Sequence, residues 1–152
     1  MVTLDRIDKM LLTTLATDGR ATYAELAHQV HLSANSVAER VRRLRREGVI
    51  QHFGVTLDPV ALGKPLGVLS DIKLREGVER VAFAESLTAV PQVIGALRLT
   101  GENDYQLHIV AADTAELETV IDRLKRDFGV AAVNSRLILR EVPVDVTQVL
   151  GS

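Results

Sequence analysis

Residues 20–48 read RATYAELAHQVHLSANSVAERVRRLRREG, and this segment determines the architecture of the first part of the chain. Thr22 is followed three residues later by Glu25, which is the capping-box pattern that starts a helix. Ser33 has the side chain of a second N-cap, and Gly48 is the expected stop. The pattern predicts two helices joined by a three-residue turn, over residues 23–30 and 34–47. Such a pair is a helix-turn-helix.

A further helix is predicted before this pair. Apolar residues recur at helical spacing between Leu4 and Leu15, so they share one face. Asp5 and Asp8 lie in its first turns, where negative charge complements the helix dipole, and we assign them no other role. After the third helix, a strand is predicted over residues 49–57. The bracing helix and this strand complete the pattern of a winged helix-turn-helix domain.

The third predicted helix has one polar, mostly cationic face. Val37, Val41 and Leu44 form its apolar stripe, and about 100° of rotation per residue turns the opposite face to solvent. That opposite face consists of Asn35, Glu39, Arg42 and Arg46, with Ser36 and Arg43 at its flanks. The second helix of a helix-turn-helix enters the major groove of DNA. The sequence therefore predicts a DNA-binding surface here.

The residue types of this face suit DNA recognition. Base edges are predicted to be read by Asn35, Ser36 and Glu39. Phosphate or guanine contacts are predicted for Arg40, Arg42, Arg43 and Arg46. The starts of the two helices add Arg20, Thr22 and Ser33 as candidates near a phosphate. The alternative is a solvated surface on which the arginines pair with Glu39 and Glu47.

The second half of the chain changes pattern. Strands and helices follow in the order β-α-β-β-α-β, which is a ferredoxin-like motif. Strands are predicted over residues 66–75, 91–99, 105–110 and 130–142, and helices over 78–87 and from a cap at Asp113 to Gly129. The predicted fold class is therefore α+β. Its parts are a helix-turn-helix domain at residues 1–50, a strand-containing linker at 51–65 and a ferredoxin-like domain at 66–152.

Charge divides the chain in the same region. The 152 residues carry a net charge of -2, but residues 1–57 hold eight Lys/Arg against six Asp/Glu, and residues 58–152 hold ten against fourteen. The basic first half is the better candidate for phosphate contact. The sequence shows no Cys, no leader and no apolar run long enough for a membrane span. We expect a cytoplasmic protein without membrane contact.

No grouping of residues indicates catalysis or metal binding. His28 and His31 have the spacing of a metal-binding pair, but nothing nearby supplies further ligands. The sequence contains neither a nucleophile motif nor a phosphate-binding glycine loop. We therefore expect no enzymatic activity, no metal and no cofactor.

The segment TGENDY at residues 100–105 is the second informative place. It concentrates carboxylates, an amide and backbone groups in one turn between two strands. Asp104 or Glu102 can pair with an ammonium group while backbone N–H groups receive a carboxylate, and this combination suits an amino acid. A simple turn is the alternative, because turns are rich in Gly, Asn and Asp for conformational reasons.

Four segments of the chain resemble the Lrp/AsnC family, also called feast/famine regulators. They are LDRIDKMLLTTLATDGRATYAELA from Leu4, HLSANSVAERVRRLRREGVIQHF from His31, VTLDPVALG from Val55 and LTGENDYQLHIV from Leu99. The resemblance implies a helix-turn-helix domain joined through a strand-containing linker to a ferredoxin-like ligand-sensing domain. It also implies dimers formed by pairing of the sensing sheets, and octamers assembled from those dimers.

The resemblance further implies an effector, commonly an amino acid, that is held between dimers beside a Gly-x-x-Asp turn. Gly101 and Asp104 match that turn, and Ser135 and Leu137 match positions on the last strand that often line the pocket. The implied effector-binding residues are Thr100, Gly101, Glu102, Asn103, Asp104, Tyr105, Ser135 and Leu137.

We therefore expect a sequence-specific DNA-binding transcriptional regulator whose activity or assembly is modulated by a small effector, an amino acid. Its expected partners are double-stranded DNA, further copies of the chain and the amino acid. The alternative is an architectural, nucleoid-type DNA-binding protein without an effector. Two other classes stay open: a ferredoxin-like enzyme with an accessory DNA-binding head, and a scaffolding oligomer whose first domain binds protein.

Overall fold

The computed structural model describes residues 2–151 and divides into two compact units. The first unit comprises the residues up to Thr56 together with the segment from Pro143 onward, and the second comprises Leu57–Val142. The sequence-based division placed residues 66–152 in one domain, whereas the C-terminal segment groups with the first unit. No helix within residues 2–151 has both the length and the apolar character needed to cross a bilayer.

Three helices form the first unit, and each begins at a capping side chain. They are α1 (Arg6–Thr17), α2 (Tyr23–Val30) and α3 (Ala34–Arg46), and a 3-10 turn lies at Val146–Leu150. Reciprocal capping boxes begin the first two helices, formed by Asp5 with Asp8 and by Thr22 with Glu25. The side chain of Ser33 caps α3. Local sequence therefore determines where each helix starts.

Apolar residues from all three helices form the core of the first unit. Leu11 of α1, Leu26 of α2 and Val37 and Val41 of α3 are fully buried. Burial of such a side chain is worth about 1.5–3 kcal/mol. Between α2 and α3, His31 adopts a left-handed backbone conformation with φ of 54°, which reverses the chain within the predicted short turn.

The strand predicted over residues 49–57 is not formed, so the first unit has no wing within the part of the chain that the structure describes. The amides of Val49 and Ile50 donate instead to the carbonyl of Leu44, at 2.9 and 3.1 Å, which turns the chain back over the end of α3. Residues 51–57 are exposed. Alternating residues favour an extended chain, but a strand also needs a neighbour that satisfies its backbone groups.

The second unit is built from four strands and two helices. These are β1 (Leu66–Leu74), α4 (Arg80–Ser86), β2 (Val93–Arg98), β3 (Tyr105–Ala111), α5 (Thr114–Asp127) and β4 (Val130–Leu137). The strands pair antiparallel in the order β2-β3-β1-β4. The helix-turn-helix N-terminus and this β-α-β-β-α-β unit confirm the predicted α+β fold class.

Strand β4 ends before the predicted boundary at Val142. Its pairing with β1 runs out at the partners Val68 and Leu137, and one further bond joins the amide of Ile138 to the carbonyl of Gly67 at 2.9 Å. Since β1 begins there, the continuing chain has no partner strand within residues 2–151. The length of β4 is thus limited by its neighbour, a constraint that its own apolar pattern does not contain.

The two helices cover one face of the sheet and leave the other face open. Phe83 of α4 and Leu124 of α5 pack with Ile72 and Leu107 in one apolar core. Side chains alternate between the faces of a strand, so the neighbours of these core residues point the other way. The open face carries Leu69, Asp71, Gln106, His108, Asn134 and Arg136.

Candidate nucleic-acid interface and ligand turn

The outward face of α3 is polar and open to solvent. The four residues predicted to lie opposite the apolar stripe are all exposed, as is the flanking Ser36. They are Asn35, Glu39, Arg42 and Arg46. The apolar stripe itself is fully buried. The structure therefore brings the predicted base-reading residues and two of the predicted arginines together on one surface.

Glu39 and Arg42 form an ion pair across one turn of this face. Both side chains are more than half exposed, at 66% and 59%, so water screens the pair and it contributes little stability. Arg43 and Glu47 are farther apart, with 3.8 Å between Nε and Oε2. The ion pairs of the arginines with Glu39 and Glu47, which were the alternative to DNA contacts, are thus present but weak. They leave Arg42 accessible to a phosphate.

Arg40 and Arg43 are directed toward the start of α1. Arg40 Nη1 donates to Asp5 Oδ2 at 2.6 Å and to Asp8 Oδ1 at 2.9 Å, and Arg43 Nη2 donates to Asp8 Oδ2. Only 1% of the Asp8 side chain is exposed, against 27% for Arg40 and 36% for Arg43. These four residues are called the Asp8 cluster below. A phosphate contact by either arginine has to compete with these ion pairs.

Sequence reasoning missed the Asp8 cluster. It interpreted Asp5 and Asp8 as helix-dipole charges. Their capping box agrees with that interpretation, but the interpretation does not include their ion pairs with the arginines. The backbone amide of Asp8 and then the Arg40 guanidinium lower the pKa of the Asp5 carboxyl, and hydrogen bonds to the two carboxylates raise the pKa of Arg40. The available signal was that Asp8 adjoins the buried Leu11 on α1, where an unpaired charge is costly.

Of the three DNA-contact candidates at the starts of α2 and α3, two are N-caps and one is an exposed cation. The hydroxyl of Thr22 accepts the amide of Glu25 at 3.2 Å, and the hydroxyl of Ser33 accepts the amide of Ser36 at 3.1 Å. These hydroxyls are therefore engaged within the chain. The side chain of Arg20 is exposed near the start of α2.

Arg45 is an exposed cation of α3 that sequence reasoning did not single out. Its guanidinium carbon lies 5.8 Å from the centre of the Phe53 ring, within the range of a cation–π contact. Phe53 belongs to the segment predicted as a strand, so no local signal in α3 indicated this contact.

Asp104 lies in the predicted effector-binding turn at residues 100–105, called here the ligand turn, and is buried and bonded within the chain. Its Oδ2 accepts the amide of Leu74 at 2.9 Å, and its Oδ1 accepts Nε and Nη2 of Arg80, both at 3.3 Å. Chiefly the Leu74 amide, with the nearby Lys73 and Arg80, lowers the pKa of this carboxyl. Asp104 therefore ties the turn to β1 and to the start of α4.

The rest of the turn has a buried base and an exposed tip. Tyr105 is buried, and its hydroxyl donates to the carbonyl of Arg80 at 2.8 Å. Within residues 2–151 the Glu102 carboxylate has no hydrogen-bond or ion-pair partner, although the Glu102 carbonyl accepts Lys73 Nζ at 2.7 Å. The tip is formed by Thr100, Gly101 and Glu102, with Asn103 half-buried beside them.

The other two predicted effector residues lie on β4, away from this turn. Ser135 Oγ is 2.8 Å from Oγ of the buried Ser70, and the exposed Leu137 pairs with Val68. Strand β1 separates β4 from β3, which begins at the turn. A single chain therefore does not bring Ser135 and Leu137 onto the ligand turn.

No metal-binding constellation is formed by the residues that the structure describes: no group of three His, Cys, Asp or Glu side chains is arranged around a common point. His28 and His31 both lie exposed at the end of α2. Their sequence spacing is thus not accompanied by further ligands.

The two units correspond to two family models. The AsnC-type helix-turn-helix domain matches residues 4–45, and the Lrp/AsnC ligand binding domain matches residues 68–146. The first model thus covers the helices that carry the predicted DNA-binding face, and the second covers the ligand turn.

Individual relatives extend the match along most of the chain. It is 35% identical over 145 residues to the Bkd operon transcriptional regulator of Pseudomonas aeruginosa, covering 93% of this chain and 95% of that protein. It is 36% identical over 144 residues to the Leucine-responsive regulatory protein of Rhizobium meliloti, covering 93% and 92%. The crystal structure of the transcriptional regulator NMB0573/L-Met complex from Neisseria meningitidis superposes with a TM-score of 0.83 at 29% identity, over 95% of this chain and 96% of that one. The chain belongs to the Lrp/AsnC family of transcriptional regulators.

Proposed function

We propose that this regulator recognises specific DNA sites by placing α3 in the major groove. Asn35, Ser36 and Glu39 read base edges there, and Arg42 and Arg46 contact phosphates or guanine. The observation that supports this proposal most directly is that these residues are exposed together on the side of α3 opposite its buried apolar stripe. The match to the AsnC-type helix-turn-helix domain supports the same role.

The remaining predicted DNA contacts take secondary roles in this proposal. Arg20 supplies a phosphate contact near the start of α2, while Thr22 and Ser33 act through the helix starts that they cap. Arg40 and Arg43 act through the Asp8 cluster. The proposed function is binding in the cytoplasm, where the target DNA lies, and it involves no chemical turnover.

We infer that two copies pair through the open face of the sheet, so that two α3 helices meet two half-sites. Asp71 is central on this face, bonded to Gln106 at 2.9 Å and to Arg136 at 2.9 and 3.1 Å. The exposed Leu97 adds apolar surface at its edge. Assembly of such dimers into an octamer, as the family resemblance implies, is the larger form that we expect.

We propose an amino acid as the effector, held at the ligand turn. The Glu102 carboxylate is available for the ammonium group, and backbone N–H groups of the tip are available for the carboxylate. The L-Met complex of the Neisseria meningitidis relative supports this class of ligand. Asp104 shapes the turn from beneath, while Ser135 and Leu137 reach the ligand from another copy of the chain.

One observation favours the alternative, an architectural protein without an effector. Asp104 and Tyr105 are already satisfied within the chain, so the turn is ordered without a ligand. In that case the DNA-binding face coats DNA with little sequence preference, and the open sheet face joins neighbouring copies.

Footprinting on genomic fragments separates the two functions. We expect discrete protected sites that disappear in Asn35→Ala, because the amide that reads a base edge is lost. Uniform protection along every fragment supports the architectural function, and absence of binding at low salt removes both.

A thermal-shift screen of the standard amino acids tests the effector. A ligand that binds only the folded protein raises its apparent stability, so a hit shifts the melting temperature. Glu102→Gln is expected to abolish the shift, whereas Glu118→Gln on α5 keeps it. A shift that survives in Glu102→Gln contradicts the proposed ammonium partner.

A further inference from the structure

Two of the five arginines between Arg40 and Arg46 are held within the first unit. Arg40 and Arg43 lie three residues apart, so they share one side of α3, and that side faces the carboxylates of Asp5 and Asp8. The side chain of Asp8 is almost fully buried and bonds to both guanidinium groups. The other arginines of this stretch, Arg42, Arg45 and Arg46, are exposed.

The Asp8 cluster is electrically balanced, with two carboxylates against two guanidinium groups. The hydrogen bonds from Asp8 and Arg40 that lower the pKa of Asp5 keep this carboxylate ionised well into acidic conditions. Charge-assisted bonds of this kind are strong, and each arginine must break them before it binds a phosphate. The cluster thus reduces the positive charge that α3 presents to DNA.

The hydrogen-bonding groups of Arg43 are only partly satisfied within the chain. Its Nε atom is buried and has no hydrogen-bond partner among the described residues, while Nη2 bonds to Asp8. A buried N–H without a partner costs free energy, so the bond to Asp8 has to compensate for it. This arrangement fits a residue that orients α3 on α1.

We propose that Asp8, assisted by Asp5, is a positioning residue that limits the sequence-independent part of the DNA affinity by withholding Arg40 and Arg43 from the phosphate backbone. The inference rests on the proposed binding of DNA by α3. Phosphate contacts are independent of sequence, so each arginine withheld lowers the affinity for every DNA sequence by a similar factor. Loss of the Asp8 carboxylate frees Arg43 from its bond to Asp8 and leaves Arg40 held by Asp5 alone, which favours contacts with phosphates.

The test measures binding of Asp8→Asn to a duplex containing a footprinted site and to a scrambled duplex, between about 50 and 200 mM salt. Each released arginine that reaches a phosphate steepens the slope of log K against log salt by about 0.9. We expect a steeper slope and tighter binding to both duplexes, with a similar gain in affinity for each. A merely structural role of Asp8 predicts weaker binding with an unchanged or shallower slope.

Three further variants make the result decisive. For Asp8→Asn/Arg43→Met we expect the slope of log K against log salt to be shallower by about 0.9 than in Asp8→Asn, because one released cation is absent. Glu118→Gln on α5 makes the same change in net charge outside the first unit and is expected to behave as wild type. Asp5→Asn keeps the helix cap, since Asn caps as well as Asp, and removes only one of the two carboxylates that hold Arg40.

Circular dichroism shows whether each variant is folded. If Asp8→Asn does not fold, Asp5→Asn decides: a steeper slope with tighter binding to the scrambled duplex supports the proposal, and wild-type values overturn it. An unchanged slope in folded Asp8→Asn also overturns it. If the wild-type protein itself shows no salt-dependent DNA binding, the proposed DNA-binding function is what fails.

Discussion

Arg42 and Arg43 are neighbours in sequence but have different surroundings. Arg42 is exposed on the outward face of α3, and its one ion pair is with the exposed Glu39. Arg43 bonds to the buried Asp8. Replacement of the two side chains therefore affects two different quantities, DNA affinity and the free energy of unfolding.

For Arg42→Ala we expect weaker DNA binding and a salt slope shallower by about 0.9, because one phosphate contact and its counterion release are lost. Folding stability is expected to stay within about 0.5 kcal/mol of wild type, as for most surface substitutions. Fluorescence anisotropy of a labelled duplex at several salt concentrations measures the slope. Arg126→Ala, an exposed arginine of α5, is the control, and an equal loss in both variants contradicts a specific contact.

For Arg43→Ala we expect a loss of about 1.5–3 kcal/mol in the free energy of unfolding, the usual range for a hydrogen bond to a charged group. The cause is that Asp8 keeps only Arg40 as a partner for its buried carboxylate. Urea unfolding followed by circular dichroism measures the change, with Arg42→Ala as the neighbouring control. A stability equal to that of the control shows that Asp8 does not need the second arginine.

The sequence allowed the exposed face of α3 to be predicted but not the Asp8 cluster. Helical periodicity assigns Asn35 and Glu39 to the side opposite the buried stripe without reference to any other element. The bond between Arg43 and Asp8 joins residues 35 positions apart, so it depends on how α1 packs on α3. The hydrogen bonds of Asp104 were not predictable from sequence for the same reason, since its partners are on β1 and α4.

The Glu116 carboxylate joins three neighbouring segments to the start of α5. It accepts the amide of Ala112 at 2.6 Å, Nε2 of Gln92 at 2.9 Å, and Nζ of Lys64 at 2.5 and 2.8 Å. Principally the Ala112 amide, then Gln92 and Lys64, lower the pKa of Glu116 to about 2. The three partners join the linker, the start of β2 and the end of β3 to this helix.

Because the pKa of Glu116 is lower in the folded protein than its ordinary 4.5, its stabilising effect is complete above pH 4.5 and is lost as the pH falls toward about 2. We expect Glu116→Gln to be less stable than wild type at neutral pH, and the difference to shrink across that acidic range. Urea midpoints at a series of pH values measure it. Glu118→Gln on the same helix is the control, and a pH-independent difference for Glu116→Gln contradicts the assignment.

Gly129 ends α5 in a left-handed conformation, with φ of 69°, and a Cβ added there meets Cγ2 of Val78 at 2.6 Å. Gly63 has a similar φ of 78° but open space around it. We expect Gly63→Ala to cost about 1–2 kcal/mol, the cost of the left-handed conformation alone. Gly129→Ala is expected to cost more because of the additional clash. Thermal unfolding compares the two, and equal losses show that Val78 moves aside.

Secondary structure was predicted well wherever caps and breakers act locally. Thr22, Ser33 and Asp113 each begin a helix at the predicted place. The two errors concern strands: residues 49–57 form none, and β4 stops at Leu137. Both outcomes depend on whether a partner strand is adjacent, which single-segment patterns do not contain.

Across the whole molecule, the segment from Pro143 onward was expected to belong to the second domain but groups with the first unit. Its 3-10 turn packs beside α1, and Val146 lines an apolar groove with Leu12, Leu15 and Phe53. The carbonyl of Gly151 also lies 3.5 Å from Nζ of Lys9. The short tail contains no strong local pattern, so its place was not predictable from sequence.

For a protein truncated after Val142 we expect faster amide hydrogen exchange in α1, because the tail no longer covers that helix. Exchange in α5, which belongs to the second unit, is expected to be unchanged. Mass spectrometry of the exchanged peptides measures both. Val149→Ser, at a largely exposed position of the tail, is the control, and wild-type protection of α1 in the truncated protein shows that the tail does not stabilise the helix.

The grouping of residues 143–151 with the first unit has a practical consequence for anyone labelling this regulator. A fluorophore attached at the exposed Val149 lies in the first unit, far in sequence from the ligand turn. The exposed loop at residues 75–77 instead offers an insertion point in the second unit. A reporter placed there observes the unit that carries the proposed effector site.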